Sequence, residues 1–237
     1  MFHAWTGQTE VNPEQIEKLM MQWLLEMKKA GKAPSTLNRY ASTCRSWLEW
    51  SNSPGDLRSY RAPKVPPCKP QPIPEGKAGL SKLFKATPRS DIRALIALQG
   101  LVGLRVHEAI KVNVHDFDKL EKTLTILGKG GKTRVVPVSS RAWQIMLPAM
   151  AKSLSNSTSL VPLQERHARR MITLTGERAG LSRPIKSQDL RKTFATIVLK
   201  QCGDIYVVCS LLGHERVTTT QIYVTVEFDK MRQAVEF

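Results

Sequence analysis

Apolar positions along the chain fall first into helical stripes. Ile16, Leu19, Met20, Trp23, Leu24 and Met27 share one face, and Asn12-Pro13 just before them is a helix-start signal. A second stripe, Leu37, Tyr40, Cys44, Trp47 and Leu48, predicts a helix opening at Ser35. These two helices make a small domain over residues 10–52. Half of the 14 prolines (Pro54, Pro63, Pro66, Pro67, Pro70, Pro72 and Pro74) then follow, where fixed φ angles and missing N–H donors exclude helix and central strand. Residues 53–79 therefore read as an extended linker. Beyond it, Ser90-Asp91 opens a strongly apolar helix (Ile92, Leu95, Ile96, Leu98, Leu101) that ends near Gly103. Residues 123–138 switch to strand-like alternation, TLTIL and TRVVPV, on either side of Gly128-Lys129-Gly130-Gly131, the pattern of a hairpin with a glycine-rich turn. Helical spacing returns at 140–152, 163–179, 187–201, 204–212, 216–224 and 227–235. The predicted fold is α+β, mainly helical, with a second domain at 80–237 that carries one small hairpin.

Charge changes this picture from a plain globular chain to one with a polyanionic partner. Lys and Arg number 36 against 20 Asp and Glu, a formal net charge of +16 over 237 residues. Residues before position 80 carry +4 of it and the remainder +12. Nucleic acid and an anionic membrane surface both fit this excess. Lys28, Lys32, Arg39 and Arg45 rim the polar side of the first domain, either as DNA contacts or as ordinary solvated charges. The four cysteines, Cys44, Cys68, Cys202 and Cys209, form no C-x-x-C pair, so they read as reduced thiols of a cytoplasmic protein. MFHAWTGQTE lacks the basic start and apolar run of a secretory leader, and no stretch of 18 apolar residues occurs, which argues against membrane insertion.

Three short segments carry candidate chemistry: Gly103-Leu104-Arg105-Val106-His107-Glu108, Gln188-Asp189-Leu190-Arg191-Lys192-Thr193, and Leu212-Gly213-His214-Glu215-Arg216 followed by Tyr223. Singly, each residue has an ordinary structural reading: Tyr223 as core, Arg105 and Arg191 as solvated helix charges, His214 as a helix-end group, Glu108 as a surface carboxylate. As a set, in this order and spacing, they resemble the tyrosine recombinase (phage integrase) family. The resemblance runs from about residue 80 to the end and more loosely from 34 to 79. Arg105 falls on the family's first arginine, Lys129 on its hairpin lysine, Arg191 on its second arginine, His214 on its second histidine and Tyr223 on its nucleophile. Glu108 falls on a position that orients the first arginine.

The resemblance implies a site-specific recombinase that cleaves and rejoins DNA through a 3′-phosphotyrosine intermediate, with no metal or other cofactor. Chemistry fits the set: two guanidiniums and a further donor hold the nonbridging phosphate oxygens, and Lys129 protonates the leaving 5′ oxygen. The chain departs from the family at Gln188, where a histidine or lysine is usual; glutamine donates a hydrogen bond but takes no proton as a base at neutral pH. Lys132, Arg134, Arg169, Arg170 and Lys192 complete the expected DNA contacts. The short N-terminal region suggests a minimal integrase without an arm-binding domain. The implied partner is double-stranded DNA with core-type attachment sites, bound by a homotetramer on two paired sites from a protein that is monomeric when free. A phage or mobile element is the implied context; a chromosome-dimer-resolving recombinase, a type IB topoisomerase and a DNA-binding protein with impaired catalysis share some or all of these motifs.

Overall fold

A computed structural model describes residues 15–53, 55, 57–65, 71–128, 131–156 and 159–213. The chain divides into two compact units, 1–67 and 68–237. The helices expected at 216–224 and 227–235, the Asn12-Pro13 helix start, and Lys129, His214 and Tyr223 lie outside the described residues.

In the first unit, helix α1 spans Ile16–Lys29 and helix α2 spans Pro34–Trp50. Helix α2 opens one residue before the expected Ser35, because Pro34 occupies the first turn, where its missing N–H costs nothing. The two apolar stripes meet: Ile16, Met20, Trp23 and Leu24 pack with Ala41, Cys44 and Leu48. Each fully buried leucine of such a core contributes roughly 2 kcal/mol. Part of the proline-rich stretch also belongs to this unit, since Leu57 and Tyr60 are buried in the same core. Arg45 donates from Nη2 to the Tyr60 carbonyl at 2.9 Å and the Leu57 carbonyl at 3.4 Å. Asn38 reaches the Pro63 carbonyl at 2.8 Å.

The second unit is built around helix α4 (Ser90–Gly100), in which Ile92 and every residue from Ala94 to Gly100 are buried. A helix apolar all round has to be enclosed. Its neighbours include α3 (Gly76–Ala86), the short α5 (Val106–Ala109), α6 (Ser140–Asn156), α7 (Glu165–Arg178) and α8 (Ser187–Cys202). Helix α9 (Ile205–Leu212) packs Val208 and Leu212 on Phe194 and Ala195 of α8. Strands β1 (Phe117–Asp118), β2 (Thr123–Leu127) and β3 (Thr133–Pro137) form one antiparallel sheet in that order. The hairpin sequences pair as their alternation suggests, with Leu124 opposite Val136 and Ile126 opposite Arg134. Helix α3 begins inside the stretch read as linker. The segment before it is fastened to the unit, with Ile73 N donating to Thr193 Oγ1 at 2.8 Å and Arg183 Nη2 donating to the Pro72 carbonyl at 2.7 Å. Among the described residues no helix is long and apolar enough to cross a membrane.

Candidate phosphate-binding site

The chain leaves α4 through Gly103, whose φ of +84° is costly for any residue with a side chain; a Cβ there would also lie 2.4 Å from Phe194 Cδ1. That close turn against α8 puts Arg105, in extended conformation, immediately before α5. One turn on, Glu108 reaches back: its Oε2 accepts from the Arg105 backbone N–H at 2.8 Å and its Oε1 from Arg105 Nη1 at 3.1 Å. The carboxylate thus closes the helix start and orients the arginine side chain.

Helix α8 brings Arg191 to the same place from 86 residues further along the chain. Its Nη1 donates to the Gly103 carbonyl and its Nη2 to the Leu212 carbonyl, both at 2.7 Å, and Nη1 stands 3.6 Å from Glu108 Oε2. Strand β3 supplies a third guanidinium: Arg134 grips Glu108 with both ends of its fork, Nη1 to Oε1 and Nη2 to Oε2, each at 3.0 Å. The Glu108 side chain is 1% exposed, Arg191 8%, Arg134 17% and Arg105 38%. Burial pushes the Glu108 carboxyl up, but the hydrogen bonds from Arg134 and the Arg105 N–H, with the charges of Arg134 and Arg191, outweigh it and hold its pKa at about 2.

One carboxylate facing three guanidiniums leaves the described cluster with two net positive charges, and Arg105 opens it to solvent. Preorganised charge of this kind suits a phosphate whose nonbridging oxygens gain negative charge during reaction. Gln188 is exposed one turn before Arg191, at the start of α8. Arg191 is bonded to the Leu212 carbonyl at the end of α9, and Gly213, with φ +62°, caps that helix.

The remaining sequence candidates are placed differently. Arg134, read as a hairpin charge for DNA, turns inward onto Glu108, and Arg45 is engaged with carbonyls of its own unit. Lys192 stands 3.7 Å from Asp189, and Arg169 pairs with Glu165 on α7. Lys28, Lys32, Arg39, Lys132 and Arg170 are exposed. The part Arg134 takes in the cluster was missed from sequence although a signal existed: it shares strand parity with buried Val136, where an apolar residue is the rule. No group of three His, Cys, Asp or Glu suited to a metal ion occurs among the described residues.

Fold and geometry together place a positively charged arginine cluster, a candidate phosphate site, between a helical core and a small hairpin. Residues 78–230 match the family model described as "Phage integrase family". The chain is 39% identical over 170 residues to tyrosine recombinase XerD of Corynebacterium glutamicum, a match that takes in 64% of this chain and 56% of that relative. It is 31% identical over 229 residues to tyrosine recombinase XerC of Xanthomonas campestris pv. campestris, covering 88% of this chain and 69% of the relative. The crystal structure of XerH bound to its difH substrate before cleavage shares the fold with a TM-score of 0.68 at 18% identity, over 96% of this chain and 71% of that one. The chain belongs to the phage integrase family, whose enzymes are tyrosine recombinases that cut and rejoin DNA strands.

Proposed function

We propose that this chain performs conservative site-specific recombination with Tyr223 as its nucleophile. Tyr223 Oη attacks the scissile phosphorus, the bond to the 5′ oxygen breaks, and a 3′-phosphotyrosyl ester forms. The tyrosine proton leaves to solvent or a neighbouring base, and Lys129 gives a proton to the departing 5′ oxygen. Attack by a 5′-hydroxyl from the partner strand reverses the step and releases Tyr223. One phosphodiester is exchanged for another, so no nucleotide energy source is needed. Arg105, Arg191 and His214 hold the nonbridging oxygens, and Gln188 contributes a hydrogen bond in place of a base. A phenol of ordinary pKa near ~10 is ionised to only about one part in a thousand at neutral pH, so the positive cluster also serves to favour the phenolate.

The observation that supports this reading best is that Arg105 and Arg191, far apart in sequence, are fixed on one buried carboxylate. DNA is the proposed substrate, with contacts proposed from the small helical unit and from the catalytic unit. Lys28, Lys32, Arg39, Lys132, Arg169, Arg170 and Lys192 are the proposed backbone contacts. Two paired core-type sites assemble four copies of a chain that is monomeric alone. The proposed context is integration or excision of a phage or mobile element in the cytoplasm of a bacterial host. A second reading is a Xer-like recombinase that resolves chromosome dimers, kept because the curated relatives are named XerD and XerC. Junction mapping separates the two, because the first reading puts the crossover at element ends and the second at one chromosomal site.

A pool of nicked duplexes with randomised core sequence tests the chemistry, since the nick lets the short cleaved strand diffuse away and traps the ester. A protein–DNA adduct stable to denaturant is expected, and sequencing the trapped DNA gives the target site. Binding without any adduct would instead favour a DNA-binding protein that has lost catalysis.

A further inference from the structure

Arg134 is a charged residue at an inward strand position, and the proposed chemistry assigns it no contact with DNA or phosphate. Burying a guanidinium is expensive unless its partner is fixed and ionised. Here both Nη atoms meet both oxygens of Glu108 at 3.0 Å, the fork-to-carboxylate geometry that lysine cannot reproduce. Glu108 Oε1 is shared between Arg134 and Arg105, and Oε2 between Arg134 and the Arg105 backbone, with Arg191 Nη1 beside it. The plane of the carboxylate is therefore set from the β3 side. Arg134 also fills the space against the next turn: a Cβ added to Gly213 would lie 2.9 Å from Arg134 Cδ and Nε. Gly213 directly precedes His214 in the chain.

We infer that Arg134 is a positioning residue for strand cleavage: by gripping Glu108 it fixes the two phosphate-binding arginines, and by packing on Gly213 it holds the end of α9. The inference rests on the recombinase reading above. Two rival roles follow from the same location on β3. A direct DNA contact makes binding depend on Arg134. A tether for the hairpin makes Lys129, and hence protonation of the leaving oxygen, depend on it.

The full-length chain with Arg134→Ala, Arg134→Lys and Arg134→Gln separates these roles on nicked duplexes carrying a site selected from the trapped pool. Affinity is expected to stay within about twofold of the unaltered chain, while adduct formation at saturating protein slows by about a hundredfold, the usual consequence of displacing a catalytic group by an ångström. Arg134→Lys keeps the charge, so it guards against simple misfolding; it is expected to melt near the unaltered chain yet cleave slowly, because one ammonium cannot span both carboxylate oxygens. A 5′-thiol leaving group is expected to give no rescue. Arg134→Ala combined with Glu108→Gln is expected to be no slower than the slower single variant, since both act through one contact.

Wild-type cleavage by Arg134→Lys overturns the inference, as does loss of affinity in step with cleavage or full rescue by the 5′ thiol. If the unaltered chain itself forms no adduct, the recombinase reading fails instead. An adduct formed equally fast by the unaltered chain and all three variants removes the role of Arg134 alone.

Discussion

Glu108 is the most deeply buried acidic residue among those described, and its ionisation is tied to three arginines. Glu108→Gln removes the charge that pairs them and leaves a single carbonyl acceptor. We expect a loss of about 3 kcal/mol in stability, as for breaking one side of a buried ion pair, together with slower adduct formation. The pH dependence follows from a pKa lowered from 4.5 to about 2 on folding. A depressed carboxylate contributes its full stabilisation above its unfolded pKa and loses it as pH falls through the folded one. The unaltered chain should therefore lose on the order of 3 kcal/mol between about pH 4.5 and 2, a component that Glu108→Gln lacks. Acid titrations followed by circular dichroism check this, and parallel curves for the two proteins would contradict it. At this scale Arg105 and Arg191 were legible in sequence because their motifs are local. Glu108 was read as orienting Arg105 or as a surface carboxylate; its burial was not legible, since it depends on β3 and α8 arriving from elsewhere. Arg134 was assigned to DNA as a hairpin charge; the strand parity it shares with Val136 pointed inward and was not read.

The hairpin and α8 show what element patterns carry. Alternation in TLTIL and TRVVPV gave the pairing of β2 with β3, whereas β1, two residues long, has too little pattern to be seen. Helix α3 was hidden by the prolines before it: the linker reading ran to residue 79, but the chain turns at Glu75, in left-handed conformation, and enters the helix at Gly76. The start of α8 is fixed by Asp189, which accepts from the Lys186 N–H at 3.1 Å and from Arg183 Nη1 at 3.0 Å, and by the buried Gln99–Ser187 pair at 2.8 Å. Those contacts place Gln188 and Arg191, and no periodicity in the sequence announces them. The hairpin's proposed task is to carry Lys129 to the leaving oxygen. Lys129→Ala should slow cleavage of ordinary DNA by about a thousandfold, within the usual range for general acid catalysis, and recover on a substrate with a 5′-thiol leaving group, which needs no proton. Failure of that substrate to restore cleavage would move the role to another group, with Lys132 the next candidate.

Over the whole molecule, an excess of 16 positive charges was enough to point to a polyanion, and five residues in register were enough to point to the family. Assembly lies beyond both, because it depends on surfaces that meet only in a complex. The segment from Val224 to Phe237 places Val226, Phe228, Met231 and Val235 at spacing suited to one face of a short helix. We expect this tail to couple neighbouring subunits, so that deletion of residues 227–237 spares binding to a half-site and abolishes cooperative binding to a full site along with recombination. Equal cooperativity in the truncated and intact chains, read by mobility shift, would exclude that coupling. The most direct test of the central claim is chemical. The adduct trapped on nicked DNA is trimmed with nuclease and protease and its linkage read by mass spectrometry. The expected mass increment is a nucleotide 3′-phosphate on the peptide that contains Tyr223, absent from the Tyr223→Phe chain although that chain still binds the site; an increment on any other residue, or an adduct that survives the substitution, would contradict Tyr223 as the nucleophile.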